Sequence, residues 1–199
     1  MSIHSLGNGQ YRVHYGMSKR TIKGIQATYI FVQRKSKGLY VVQQKINLAR
    51  IDGKPFDLRV MVQRKKDSSW TVTGILAKIA GSGYFITNLV RSKGRALPLT
   101  AAIRRSNISN RRDASIRRIE YQIRRLALKV VDRMQKHYRL NTVGIDMGVD
   151  SQGKVWIIEV NASPDKTYFL RLKDKTMYHR IMYYYRNRNR NRRQIRTRK

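Results

Sequence analysis

The amino-acid sequence predicts an α+β protein: an antiparallel sheet with at least one long amphipathic helix packed on it. Short runs rich in β-branched and aromatic residues recur from Tyr11 to Val160, separated by turns containing glycine and aspartate. Between Asp113 and Arg139 the apolar residues recur instead at three- and four-residue steps. The chain has 199 residues, 41% of them apolar, which suffices for a sizeable core and is too many for a wholly disordered chain.

In chain order, Gly7-Asn8-Gly9 reads as a hairpin turn or a weak phosphate-loop signal, and it leads into the alternating run Tyr11 to Tyr15. Thr28 to Arg34 and Leu39 to Ile46 read as strands around the turn Lys35-Ser-Lys-Gly38. Pro55 to Gln63 is a further strand, entered through Asp52-Gly53, and Trp70 to Ile79 and Gly83 to Val90 continue the β pattern. From Asp113, a suitable N-cap, a helix presents Ile116, Ile119, Ile123, Leu126, Ala127, Val130, Met134 and Tyr138 as one stripe. Its other face carries Arg117, Arg118, Arg124, Arg125, Lys129, Arg133 and Lys136. A second helix is expected over Lys166 to Tyr185, with aromatic residues that suit packing. Arg186 to Lys199 is an Asn/Arg tail without acids, expected to be a disordered polycation.

Charge bounds the partners. Forty-four Lys and Arg against eleven Asp and Glu leave a net +33, so the surface attracts polyanions such as nucleic acid or a cell-wall polymer. The absence of cysteine excludes disulfides, thiolate metal sites and cysteine nucleophiles. No apolar run is long enough to span a membrane, and the start lacks the features of a signal peptide, which fits an intracellular chain. His4, His14, His137 and His179 form no cluster and receive no catalytic role. No zinc-finger, RNP-like or helix-turn-helix signature points to sequence-specific readout, so any nucleic-acid binding is expected to be electrostatic and salt-dependent.

With so few acids, their positions are informative. Asp146, Asp150, Glu159 and Asp165 fall within Gly144 to Asp165. Val143 to Val149 reads as a strand, Asp150-Ser-Gln-Gly153 as its turn, and Lys154 to Val160 as the return strand. Folding back brings Asp146 near Glu159 and Asn161, which lie two apart and so share a face. Two carboxylates and an amide oxygen suit Mg²⁺. A hairpin whose polar residues are simply solvated is the alternative.

The set G-I-D…W-I-I-E-V-N-A-S-P, with Glu159 thirteen residues after Asp146, is similar to the metal-binding hairpin of ATP-grasp enzymes. With V-V-Q-Q-K-I-N-L, P-F-D-L-R-V-M-V-Q, W-T-V-T-G-I-L-A-K-I-A and I-T-N-L-V in that order, the chain resembles the YheC/YheD family of endospore-coat-associated ATP-grasp proteins from about Ser5 to Asp165. The resemblance implies ATP and Mg²⁺ as cofactors. Asp146, Glu159 and Asn161 would hold the metal. Gln43, Gln44, Lys45 and Ile46 would be the hinge that meets adenine, and Arg59 would face the γ-phosphate or an acyl phosphate. Asn88 would lie near the same site, and Gly7 and Gly9 would belong to the loop over the phosphates. It implies a carboxylate–amine or carboxylate–thiol ligase working through an acyl phosphate, in a cytoplasmic and spore-coat-associated setting.

Expected organisation follows: a remnant of the first lobe over 1–40, hinge and second lobe over 41–165, a C-terminal helix over 166–185 and the tail over 186–199. The family pattern has a Lys-Pro strand before the glycine loop, for which this sequence shows no counterpart; neither Lys19 nor Lys23 aligns with its lysine. The fold is therefore expected to be incomplete at the N-terminus, with a partner chain able to supply the rest. Ligases such as D-alanine–D-alanine ligase also carry an arginine two residues before the metal aspartate, where this chain has Gly144. The alternative to a ligase is an inactive ATP-grasp remnant that acts as a basic, polyanion-binding or coat-associated protein.

Overall fold

The computed structural model describes residues 1–15, 18–36, 38, 42–81 and 94–189. The chain divides after Ile46 into two compact units. In the first, strands β1 (Ser2–Gly7), β2 (Gln10–Tyr15) and β3 (Ser18–Lys23) form an antiparallel meander that carries helix α1 (Ile25–Lys35). The turn from β1 to β2 holds Gly7, Asn8 and Gly9 at φ 85°, 47° and 69°, a left-handed run that two glycines and an asparagine accommodate.

The strand expected over Thr28 to Arg34 is a helix instead. Gly24, at φ 90°, turns the chain out of β3, and Thr28 Oγ1 donates to its carbonyl at 2.8 Å. Phe31 then packs on Tyr15 with ring centroids 5.8 Å apart. Eleven residues make a marginal helix alone, so packing on the meander overrides the β-branched propensity of the segment. Residues 42–46 form no strand, against the expectation for Leu39 to Ile46; positions 39–41 lie outside the described residues.

Among the described residues the second unit is built on six strands, β4 (Arg50–Ile51), β5 (Lys54–Gln63), β6 (Thr71–Ile79), β7 (Arg95–Pro98), β8 (Thr142–Val149) and β9 (Val155–Asn161). The order is β7-β6-β5-β8-β9, with β4 beside β5 and every pairing antiparallel. Alternation sorts β5 between two cores. Phe56, Leu58, Val60 and Val62 join Val143, Ile145 and Met147 of β8 in one core with helices α2 (Leu99–Arg105) and α3 (Asp113–Met134). Met61 faces the other way, into a smaller core with Leu76, Phe169, Leu172 and Ile181 from the 3₁₀ turn Thr167–Arg171 and helix α4 (Thr176–Arg186).

Helix α3 buries Ile116, Ile119, Ile123 and Ala127 of the expected stripe. It ends at Met134, buries Val131 rather than Val130, and leaves Tyr138 exposed. Asp113 does not cap it; as the first helical residue it pairs with Arg104 at 2.7 Å, which holds its carboxyl below the usual range. The single helix expected over Lys166 to Tyr185 is two pieces. Asp165 Oδ1 accepts the Thr167 N–H and Asp174 Oδ1 accepts the Thr176 N–H, both at 2.8 Å, so each Asp-Lys-Thr starts its own helical segment. Strands β1, β3 and β7 and helix α2 are not anticipated by the sequence patterns, and Gly83 to Val90 and the tail beyond 189 lie outside the described residues.

Asp150 organises the turn from β8 to β9. Its Oδ1 accepts from the Gln152 and Lys154 N–H groups, both at 3.0 Å, and its Oδ2 from Trp156 Nε1 at 2.9 Å. Burial pushes this carboxyl up, but the three hydrogen bonds together outweigh it and hold the group below 3.8. A carboxyl more acidic folded than unfolded contributes stability that is complete above 3.8 and is lost as pH falls through the folded value. Acidification from about pH 5 to about pH 3 is therefore expected to loosen the hairpin and shift Trp156 emission, less so in Asp150→Ala. Identical titrations of the two proteins would count against it.

Candidate functional site

The face of β5 opposite the larger core changes character along its length. Met61 and Gln63 lie beneath α4, where Gln63 Nε2 donates to the Ile181 carbonyl at 3.2 Å and Gln63 Oε1 accepts from Thr73 Oγ1 at 2.6 Å. Further back, the same face of the sheet carries charge. Arg59 Nε meets Asp146 Oδ1 at 2.9 Å, and Arg59 Nη2 donates to Asp146 Oδ2 at 3.2 Å. Lys78 Nζ lies 3.2 Å from both Asp146 Oδ2 and Asp57 Oδ1. Register explains the grouping: Arg59 stands opposite Asp146, and Asp57 opposite Lys78. Among the described residues two cations and two anions thus form a quartet, with the Lys78 and Arg59 side chains only 6% and 8% exposed.

Among the described residues three atoms of Arg59 and Asp146 make no hydrogen bond. Arg59 Nη1 is buried with no acceptor, whereas Arg59 Nε and Asp146 Oδ1, both buried, meet only as an ion pair. Tyr168 lies with its ring 5.5 Å from the Arg59 guanidinium. Gly144 permits the arrangement, because a Cβ there would stand 2.7 Å from Arg59 Nη1 and 2.4 Å from Pro164 Cβ.

The hairpin brings the expected hard-oxygen residues together. Asp146 stands opposite Glu159, and Gly144 opposite Asn161. Glu159 is exposed and forms no ion pair among the described residues. Asn161 Oδ1 accepts the Ser163 N–H at 2.8 Å and keeps a second lone pair. Among the described residues no three His, Cys, Asp or Glu side chains converge, so a cation here would draw on two carboxylates and one amide. That donor set, in which Asp146 Oδ1 accepts no hydrogen bond, fits Mg²⁺.

The other expected residues are dispersed along the chain. Gly7 and Gly9 sit in the exposed β1–β2 turn of the first unit, Gln43, Gln44, Lys45 and Ile46 run without strand pairing up to the division between units, and Asn88 lies outside the described residues. Sequence reasoning passed over Lys78, Asp57 and Tyr168. The signal for the first two was present: a charge at an inward position of an otherwise apolar strand, in I-L-A-K-I and P-F-D-L-R-V.

A model of the YheC/D-like ATP-grasp family matches residues 1–186. The chain belongs to that family. The resemblance read from the motifs is thereby borne out, and with it the ATP-grasp fold and the α+β architecture. The endospore coat-associated protein YheD of Bacillus subtilis (strain 168) is 30% identical over 134 residues, which are 65% of this chain and 27% of YheD. The chain thus spans about a quarter of that relative's length. Among solved structures, the C-terminal domain of K. lactis Pby1, an ATP-grasp enzyme interacting with the mRNA decapping enzyme Dcp2, is similar at 21% identity and TM-score 0.48. The match covers 83% of this chain and 51% of that one. In this member of the family no described helix is long and apolar enough to cross a membrane.

Proposed function

We propose that this chain binds ATP with Mg²⁺ and joins a carboxylate to an amine or thiol through an acyl phosphate. The observation that carries the reading is the largely buried quartet, in which Arg59 Nη1 has no hydrogen-bond acceptor. Burying four charges costs several kcal/mol per ion before pairing offsets it, and apolar residues of similar volume are often as stable or more so. A sheet that needed only to fold would have no use for them. An oxyanion would give Arg59 Nη1 the acceptor it lacks.

On this reading Asp146, Glu159 and Asn161 hold Mg²⁺, which when bound neutralises phosphate charge. Arg59 holds the γ-phosphate or acyl phosphate, oriented by Asp146 and by the face of Tyr168. Lys78, oriented by Asp57, supplies a second cation to the same charge. We assign Gly7 and Gly9 to the phosphate-covering loop, the backbone of Gln43, Gln44, Lys45 and Ile46 to the adenine edge, and Asn88 to the phosphates. We extend to this chain, on family membership alone, the coat association in the name of YheD; a tagged copy absent from the coat fraction of spores would remove that extension.

The test is calorimetric titration with a non-hydrolysable ATP analogue, with and without Mg²⁺, in about 0.5 M salt to screen nonspecific phosphate binding. Saturable, Mg²⁺-dependent binding is expected, weakened at least about 10-fold by Glu159→Gln. Failure to saturate, or binding indifferent to Glu159→Gln, would overturn the reading.

A further inference from the structure

The outer face of α3 serves no role in the proposed ATP site. Arg117, Arg118, Tyr121, Arg125, Leu128 and Lys129 are all exposed there, away from the buried Ile116, Ile119, Ile123 and Ala127. Arg118, Arg125 and Lys129 have no ion-pair partner among the described residues, whereas Arg124 on the flank is paired with Glu120 at 2.7 Å. Tyr121 is 63% exposed and stands at three- and four-residue steps from Arg117, Arg118, Arg124 and Arg125. The basic face runs at its N-terminal end into a cleft of about 340 Å³ that Arg118 and Lys154 line with Asn110, Ser115 and Gln122, with no acid lining it among the described residues.

From this juxtaposition we infer that the outer face of α3 and the adjoining cleft bind single-stranded nucleic acid. Unpaired arginine and lysine along a helix follow a phosphate backbone, releasing its counterions. They do not by themselves distinguish nucleic acid from another polyanion. Tyr121 does: an open phenol ring ringed by arginines gives a base a face on which to stack, and a phosphate polymer without bases has nothing to place there. The cleft, where Ile108 and Ile119 lie beside cations and neutral donors, can take a phosphate, and Arg117 to Lys129 at 1.5 Å per residue offer about 18 Å of track before exposed Asp132. The mode is sequence-independent, because stacking and phosphate contacts tolerate every base.

The test is fluorescence anisotropy of a labelled oligo-dT of about 15 nucleotides with the full chain, in competition with inorganic polyphosphate. Tyr121→Ala is expected to weaken oligo-dT binding about 10-fold, with Tyr121→Phe near wild type and polyphosphate binding unchanged in both. The double substitution Arg118→Glu/Arg125→Glu is expected to weaken both ligands and flatten the salt dependence. The equal charge change Arg12→Glu/Lys23→Glu on the first unit is expected to do so much less. Wild-type oligo-dT affinity in Tyr121→Ala, an equal loss for polyphosphate, or equal effects of the two charge reversals would overturn the inference.

Discussion

Asp146→Ala is expected to destabilise the second unit by about 3–5 kcal/mol. Among the described residues Asp146 is the one anion in contact with both Arg59 and Lys78, and its removal leaves two cations, each more than nine-tenths buried, of which Lys78 keeps its contact with Asp57. The loss exceeds the worth of the pair, because most of it is the desolvation of charges left uncompensated. Trp70 and Trp156, the only tryptophans, both lie in the second unit, so fluorescence-monitored denaturation reports on that unit. Glu159→Gln is exposed and should stay within about 0.5 kcal/mol of wild type. Replacing all four members together, as Asp57→Leu, Arg59→Met, Lys78→Met and Asp146→Leu, is expected to restore stability and abolish Mg²⁺-dependent nucleotide binding. A loss under about 1 kcal/mol in Asp146→Ala would mean that the quartet is solvated like a surface pair.

The sheet of the second unit was readable because its strands alternate. Pro55 to Gln63 and Val143 to Val149 place every second residue in one core, and period 2 is a local property that survives folding. The β8–β9 hairpin was readable for the same reason, but its register shifts by one residue between Asp146 and Met147, and that bulge, not the turn, puts Asp146 opposite Glu159. What failed was decided by distant contacts. Thr28 to Arg34 has the composition of a strand and becomes helix α1 because Gly24 turns it onto the meander. The two Asp-Lys-Thr breaks after Pro164 were local and could have been read, since Asx turns repeat at both. At the site, Arg59 and Asp146 lie 87 residues apart, and Lys78 joins them only through a register between strands that no local pattern fixes.

Gly144→Ala is expected to disable the site by a different route. The added Cβ would stand 2.4 Å from Pro164 Cβ and 2.7 Å from Arg59 Nη1, both closer than real Cβ atoms come. Pro164 is a buried ring that cannot rotate away, so the backbone must shift there, and the guanidinium must yield as well, although Asp146 and Tyr168 hold it from two sides. Overpacking of this kind costs about 1–3 kcal/mol, and the displaced Arg59 should weaken nucleotide binding at least about 10-fold as well. Gly53→Ala separates the two effects: it meets nothing within 4 Å, and its φ of +73° makes it destabilising through the backbone alone, by about 1 kcal/mol. If both substitutions reduced stability and only Gly144→Ala reduced binding, the loss would trace to Arg59 rather than to folding. The arginine that related ligases carry two residues before the metal aspartate would then find its physical counterpart here, with the guanidinium of Arg59 entering from β5 into the space that Gly144 leaves open. Full nucleotide affinity in Gly144→Ala would show instead that Arg59 reaches the phosphates from a position the added methyl does not disturb.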